Sequence, residues 1–380
     1  MTESYRPAWA EIDASAITSN VALLCRVVAP SRLCAVVKAD GYGHGSVAVS
    51  RAALAGGAAM LAVALVEEAV TLREAGIDAP VLLLTEAPPG GIGEFCAIGG
   101  TPTVYSEPGI ALAAGAAARL GRPVAVHLKV DTGMHRVGAD AAEVPALADL
   151  VAGSDALTLG GLWTHFAVAD DLDDAFTATQ IDRFDAAVEA VRAAGGSPAM
   201  LHTANSAGAI AHPRSRYDLV RCGIACYGYA PSAQVGRVLS GLLGPGEALR
   251  PALCLKARVH RVRRLAAGER TSYGRNYELG GDALVATVPL GYADGLRRAL
   301  GSAGGEVLIG GRRRRIAGTV TMDQLLVDCG TDDVRAGDEV VLIGRQGSAE
   351  ITADEWAERL GTIVYEILCG IGPRVPRRVV

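Results

Sequence analysis

Between residues 33 and 228, short apolar runs alternate with Ala-rich amphipathic segments, the rhythm of repeated strand–helix units around a parallel sheet. Eight runs read as strands: LCAVVKAD, AAMLAVALV, PVLLLTE, TPTVYS, VAVHLKVDT, LTLGGLWTHF, AMLHTANS and DLVRCG. The segments between them, such as 174–195, carry helical periodicity. Eight strands with crossover helices predict a (β/α)8 TIM-like barrel. After Tyr229 the pattern breaks into the Gly- and Pro-rich stretch PSAQVGRVLSGLLGPGEALRP, and beyond it the strand-like runs lose their helices. The reading is therefore an α/β protein: a barrel domain over 1–244 followed by a mostly β C-terminal domain over 245–380. Residues 8–13, AWAEID, alternate with period two and are a candidate first strand that pairs with the C-terminal domain. One helix stands out in that domain, at 352–361, where Thr352 and Glu355 fit a capping box.

Composition narrows the function classes. The chain of 380 residues has a formal net charge of −5, which argues against the broad cationic surface needed for nucleic acid or anionic lipid. A small-molecule ligand is the better expectation. The N-terminal stretch MTESYRPAWAEID is not of signal-peptide kind, and the longest apolar run, around 58–66, is too short to span a bilayer, so a cytoplasmic protein is expected. Eight cysteines lie scattered without a C-x-x-C and read as reduced, buried thiols. Cys222 and Cys226 share a face of one expected strand, but no Cys or His at ligand-like spacing joins them, and no metal site is expected. The run Arg312–Arg315, after VLIGG, reads as a solvated β-turn.

In a barrel the reactive groups sit where strands end, at the carboxyl-terminal face. Lys38 closes the first strand, Lys129 and Arg136 follow the fifth, His165 closes the sixth, Ser206 ends the seventh and Arg221 ends the eighth. A lysine at such a strand end either reaches solvent or is held in a pocket that depresses its pKa, the condition for a Schiff base. Backbone N–H groups at Ser206 and at Gly223 and Ile224 fall in the loops after strands seven and eight, where barrels commonly bind phosphate. A lysine facing a phosphate site points to pyridoxal 5′-phosphate (PLP). His44 reads as a surface residue, His127 as a core histidine, and His202 and Asn205 as supports of the phosphate loop.

AVVKADGYGHG resembles the PLP-lysine signature of the alanine racemase family, whose fold is an eightfold barrel followed by a β domain. KVDTGMHRVG, THFAVAD, HTANSAG, RCGIACYG, TSYGRNY, PLGYADG, TVTMDQLLVD and GTIVYEILCGIGPRVPR follow in the family's order, nearly end to end. The resemblance implies that Lys38 holds PLP and acts as the base on one face of the α-carbon, with Tyr273 as the base on the other. It implies phosphate binding by Tyr42, Ser206, Gly223, Ile224 and Tyr365, and contact of Arg221, partnered by His165, with the pyridine nitrogen. Arg136 would meet the cofactor's phenolic oxygen and the substrate carboxylate, which Met322 would bind through its backbone N–H. Lys129 matches a lysine that is often carbamylated, which would pair with Arg136 as an anion. The family arrangement also implies a head-to-tail homodimer in which Tyr273, Tyr292 and Met322 complete the partner's site. D-alanine for peptidoglycan is the product implied.

The chemistry agrees with those roles. Inverting a carbon centre requires one group to remove the α-proton and another to return one from the opposite side. A permanently protonated arginine can only donate to the pyridine nitrogen, which weakens the ring as an electron sink and limits side reactions. That argues against the rival reading, a PLP-dependent basic amino-acid decarboxylase; a broad-specificity racemase acting on serine or lysine stays open. A PLP carrier without catalysis would resemble the barrel alone, and Tyr273 with the whole β domain argues against it. The chain departs from the family in having Thr321, where Cys often precedes the Met-Asp of the substrate loop.

Overall fold

Each of the eight apolar runs holds a parallel strand: Arg32–Val36, Met60–Val63, Val81–Leu83, Thr103–Val104, Val124–Asp131, Leu157–Trp163, Leu201–His202 and Leu219–Cys222. The chain is described here by a computed structural model covering residues 5–380; the first four residues of the stretch assigned to the barrel lie outside the described residues. Registers such as Cys34 opposite Met60, Leu61 opposite Val81 and Leu128 opposite Leu162 keep the strands parallel and in order. The ring continues through a parallel bridge between Leu82 and Thr101 and through backbone bonds from Asp218 N–H to Leu201 O (3.0 Å) and Arg221 N–H to Ala204 O (2.9 Å). Leu33 to Val37 are all buried, as are Met60 to Val63. Both faces of these strands are covered, one by helices and one by the barrel interior, which is why they read as continuous rather than alternating apolar runs. The architecture is a (β/α)8 barrel with a mostly β C-terminal region.

The described residues form two compact units. One holds the barrel, Ser15–Gly41 and Ser46–Arg250; the other comprises the described residues up to Ala14, Tyr42–Gly45 and Pro251–Val380. The barrel unit runs on to Arg250, and the Gly- and Pro-rich stretch before it contains a helix, Ala233–Leu242, whose N-cap Ser232 accepts a hydrogen bond from Val235 N–H at 3.2 Å. Farther on, Arg250 N–H is tied to Asn20 Oδ1 at 2.8 Å.

In the second unit, strand Ala8–Ile12 pairs antiparallel with Leu253–Arg258 and parallel with Arg377–Val379. The same sheet continues through Glu339–Gln346 and Glu306–Ile309 to an edge strand, Arg312–Arg315. The arginine run is thus a strand and not the turn expected. The turn is Gly310–Gly311, whose φ of +62° and +72° close a hairpin that side-chain-bearing residues would strain. Carboxylates flank the arginines: Arg312 pairs with Asp332, Arg313 with Glu306 and Glu355, and Arg314 with Asp332. The expected helix runs Ala353–Leu360, with Thr352 Oγ1 accepting from Glu355 N–H at 3.1 Å. The Glu355 carboxylate is engaged by Arg313 and Arg359, so only half of the capping box forms as anticipated. A second short helix, Val364–Cys369, was not evident from the sequence pattern. The eight cysteines are free thiols, and no helix among the described residues is long and apolar enough to cross a membrane.

Candidate active site

Lys38 lies just beyond its strand, which ends at Val36, and not within it. From there the backbone enters a left-handed turn: φ is +53° at Ala39, +50° at Asp40, +62° at Gly41, +52° at Tyr42 and +78° at Gly43. Only glycine takes this region without cost, so the three other residues each store on the order of 1 kcal/mol of strain. Local bonds hold the turn in place. Glu68 Oε1 accepts from Ala39 N–H at 2.6 Å, Asp40 Oδ1 from Ser46 N–H at 2.7 Å, and Val37 O from Gly41 N–H at 2.9 Å. These bonds, which offset the strain, fix where half-buried Lys38 leaves the barrel rim.

Inside the barrel, register places Lys129 opposite Trp163 and Trp163 opposite His202 on three adjacent strands, and all three are buried. Lys129 Nζ stands 4.3 Å from the Trp163 ring centroid, and His202 stacks on the same ring at 5.5 Å and 11°. Burial, with the positive charges of Arg221 and Arg136, pulls the Lys129 ammonium down to about 7.

Arg221 lies inside its strand, fully buried, with Cζ 4.4 Å from the Trp163 centroid. Its Nη1 donates to His202 Nδ1 (2.8 Å) and His202 O (3.1 Å). Its Nη2 donates to Thr164 O (2.7 Å), Thr203 O (3.0 Å) and His165 Nδ1 (3.3 Å). Burial lowers the guanidinium to about 10, which leaves it protonated at neutral pH. Burial and the Arg221 charge hold His165 and His202 well below the ordinary imidazole range, so both are neutral acceptors. His165, two residues past the end of its strand, is steadied by Gln180, which donates to its carbonyl at 3.2 Å.

Ser206 opens helix Ser206–Ala211, whose N-cap Asn205 accepts from Gly208 N–H at 2.9 Å. The Ser206 hydroxyl in turn accepts from Gly223 N–H at 2.9 Å, which brings the loops after the seventh and eighth strands to one point beside Ile224. A hydroxyl that already accepts keeps its proton to donate to an anion. A buried guanidinium whose partners are carbonyls and imidazole nitrogens can donate to a neutral aromatic nitrogen without first breaking a salt bridge. This donor set fits a phosphorylated pyridine.

Arg136 is exposed on the loop after the fifth strand. Asp131 Oδ1 organises that loop by accepting from the N–H groups of Gly133, Met134 and His135 at 2.8, 3.0 and 3.1 Å. Burial alone would raise the Asp131 carboxyl, but these donors outweigh it and the net displacement is downward.

In the second unit the rings of Tyr42 and Tyr365 meet with centroids 6.1 Å apart. Gly43 passes so close to the helix Val364–Cys369 that a Cβ there would stand 2.4 Å from Leu368 O. Tyr273 projects from a turn with positive φ at Ser272 (+60°), Gly274 (+77°) and Arg275 (+49°). Thr319 Oγ1 donates to Tyr273 O at 3.1 Å, and Ser272 Oγ donates to Thr319 O at 2.5 Å. Along the same segment, Thr321 O and Met322 O accept from the N–H groups of Tyr292 (2.9 Å) and Ala293 (3.0 Å). Residues 319–322 thus tie Tyr273, Tyr292 and Met322 into one assembly. Thr321 turns its hydroxyl back to Gln324 O at 2.8 Å.

Sequence reasoning missed Trp163, and it assigned His202 to the phosphate loop although its ring serves Arg221. The signal for both was cross-strand register: two buried aromatic side chains level with Lys129 on neighbouring strands.

The model of the alanine racemase N-terminal domain matches residues 12–231, and that of the alanine racemase C-terminal domain matches 252–379. An alanine racemase of Symbiobacterium thermophilum is 47% identical over 377 residues, 99% of this chain and 97% of that protein. The crystal structure of alanine racemase from D-cycloserine-producing Streptomyces lavendulae superimposes with a TM-score of 0.91 at 38% identity, covering 100% of this chain and 98% of that one. That of Bacillus anthracis alanine racemase with bound L-Ala-P gives 0.92 at 36% identity, covering 100% and 96%.

Proposed function

This chain belongs to the alanine racemase family, and from that premise we propose that it is a PLP-dependent isomerase interconverting L- and D-alanine with Lys38 and Tyr273 as opposed bases. The observation that carries the reading is Arg221: a buried cation among carbonyl oxygens and imidazole nitrogens, suited to a neutral ring nitrogen. A decarboxylase would profit from a carboxylate there. PLP, when bound, supplies the electron sink that acidifies the α-hydrogen of an amino acid attached to it.

Lys38 holds the cofactor and, released by substrate, holds or returns the α-proton at Nζ on one face. The phenolic oxygen of Tyr273 does the same on the other. Ser206, Gly223 and Ile224, with Tyr42 and Tyr365, bind the phosphate. Arg221 donates to the ring nitrogen, and His165 keeps the guanidinium oriented by accepting from it. Arg136 and Met322 N–H bind the substrate carboxylate, and Tyr292 borders it. Lys129, with its ammonium near neutrality at about 7, has a neutral amine available to add CO2, losing a proton to become a carbamate that pairs with Arg136.

The enzyme works as a cytoplasmic homodimer in which Tyr273, Tyr292 and Met322 complete the partner's site. Their exposure of 71%, 40% and 53%, on segments tied to one another through residues 319–322, leaves them available to a second chain and supports this. The D-alanine formed supplies peptidoglycan. The test is the decay of optical activity of L-alanine with purified holoenzyme beside Lys38→Ala and Tyr273→Phe. Racemisation by the wild type and severe loss in both variants supports the reading; PLP binding with L-alanine unchanged refutes alanine as substrate.

A further inference from the structure

Behind Arg221 a second hydrogen bond leads away from the site: His202 Nε2 lies 2.8 Å from His127 Nδ1. The direction of the chain follows from chemistry. A guanidinium can only donate, so His202 Nδ1 must be the unprotonated nitrogen. Neutral His202 then carries its proton on Nε2 and donates it to His127 Nδ1, which fixes the His127 tautomer as well. Both rings are buried, and the Trp163 stack holds the plane of His202.

The neighbouring strand is built around this contact. Register slips between Val126 opposite Leu159 and His127 opposite Gly161, a bulge that leaves Gly160 as the extra residue. A Cβ at Gly161 would stand 2.8 Å from His127 Nδ1, the atom that accepts from His202, and one at Gly160 would stand 3.2 Å from His127 Cδ2. Two glycines at a bulge therefore make room for one imidazole.

We propose that His127 is a positioning residue for the racemisation site: by accepting from His202 it locks the tautomer that presents an unprotonated nitrogen to Arg221, and so aims the guanidinium. The catalytic consequence rests on the reading of Arg221 as the partner of the cofactor's ring nitrogen. The hydrogen-bond chain itself does not.

The experiment uses histidine-15N-labelled holoenzyme, in which long-range proton–nitrogen spectra show which ring nitrogen of His202 carries the proton, assigned by loss of its signals in His202→Asn. Kinetics and the cofactor absorption spectrum are recorded on the same samples. The wild type is expected to show a single Nε2-protonated pattern for His202. His127→Asn, which keeps an oxygen acceptor near the Nδ1 position, retains the pattern and most of kcat. His127→Leu and Gly161→Ala lose the single pattern, and kcat falls by about tenfold with KM less affected, the scale usual for orienting partners. A wild-type His202 protonated on Nδ1 overturns the proposal. So does a His127→Leu protein with the His202 pattern and kcat of wild type, or folded Asn and Leu variants that lose kcat equally. If Leu does not fold, His127→Gln takes its place: its amide sits one carbon farther out, and rescue equal to that of Asn counts against a role for Nδ1. Arg221→Lys separates the two readings. An unchanged His202 pattern together with an unchanged cofactor spectrum rejects Arg221 as the ring-nitrogen partner while the His127–His202 bond stands.

Discussion

Replacing Lys129 with Met keeps an unbranched side chain, one atom shorter, and removes its charge, in a place where the charge is costly. The ammonium falls from its ordinary 10.5 to about 7, first through burial and then through the positive charges of Arg221 and Arg136, with Asp131 opposing. At about 1.4 kcal/mol per tenfold change in proton affinity, this corresponds to roughly 5 kcal/mol of destabilisation of the folded state while the group stays protonated. The folded pKa lies below the unfolded one, so between pH 7 and 10.5 the unfolded chain binds more protons and stability rises with pH. Below pH 7 the full penalty applies. In CO2-free buffer, Lys129→Met should therefore be more stable than wild type at pH 6.5, with the gap narrowing as pH rises to 9. Bicarbonate should raise the wild-type melting temperature by converting the amine to an anion beside Arg136, and leave Lys129→Met unmoved. Scanning calorimetry of the holoenzymes at matched protein and PLP concentrations reads both effects. A gap of constant size from pH 6.5 to 9, or a variant that responds to bicarbonate as wild type does, refutes the reasoning.

Mixing inactive Lys38→Ala and Tyr273→Phe protomers should restore activity to about a quarter of wild type, because random pairing makes half the dimers mixed and each mixed dimer has one intact composite site. No recovery after subunit exchange, verified by tagged pull-down, counts against a site shared between chains. Gly43→Ala should lower the melting temperature by several degrees, since φ is +78° and the new Cβ would stand 2.4 Å from Leu368 O, a cost of about 1–3 kcal/mol. Burial, with the Arg221 charge, lowers His127 from 6.5 to about 4, so its contribution to stability is complete above 6.5 and is lost as pH falls toward 4. Acid unfolding of His127→Asn, followed by near-ultraviolet circular dichroism, should accordingly be less steep across that window. Arg313→Ala should cost less than about 1 kcal/mol in urea unfolding despite its contacts with Glu306 and Glu355, because that network is solvent-screened.

The barrel was legible because strands buried on both faces leave continuous apolar runs, and even the two-residue strands Thr103–Val104 and Leu201–His202 lie inside such runs. Local composition misled in two places. Gly and Pro at 228–251 masked the amphipathic helix Ala233–Leu242, which buries Val235 and Leu239, and four consecutive arginines suggested a turn where a glycine pair had already made one. The chemistry-bearing residues could be placed at strand ends, but their surroundings could not. Ala39, Asp40 and Tyr42 gave no sign of positive φ, since that conformation is imposed by Glu68 and Ser46 from outside the turn. The Lys129–Trp163–His202 row depends on cross-strand register, and the bulge at Gly160 shifts that register by one residue. No periodicity within a single strand reports such a shift.

In the proposed racemisation Lys38 and Tyr273, on opposite faces of the α-carbon, share the proton traffic. The measurement that meets it most directly is α-deuterium incorporation in D2O by Tyr273→Phe holoenzyme, started separately from L- and from D-alanine and followed by chiral separation and mass spectrometry. With Lys38 the sole remaining base, one enantiomer should exchange its α-hydrogen with retention while the other is nearly inert, and inversion should be lost. Inversion at the wild-type rate, or equal exchange from both enantiomers, would contradict a two-base racemase built on Lys38 and Tyr273.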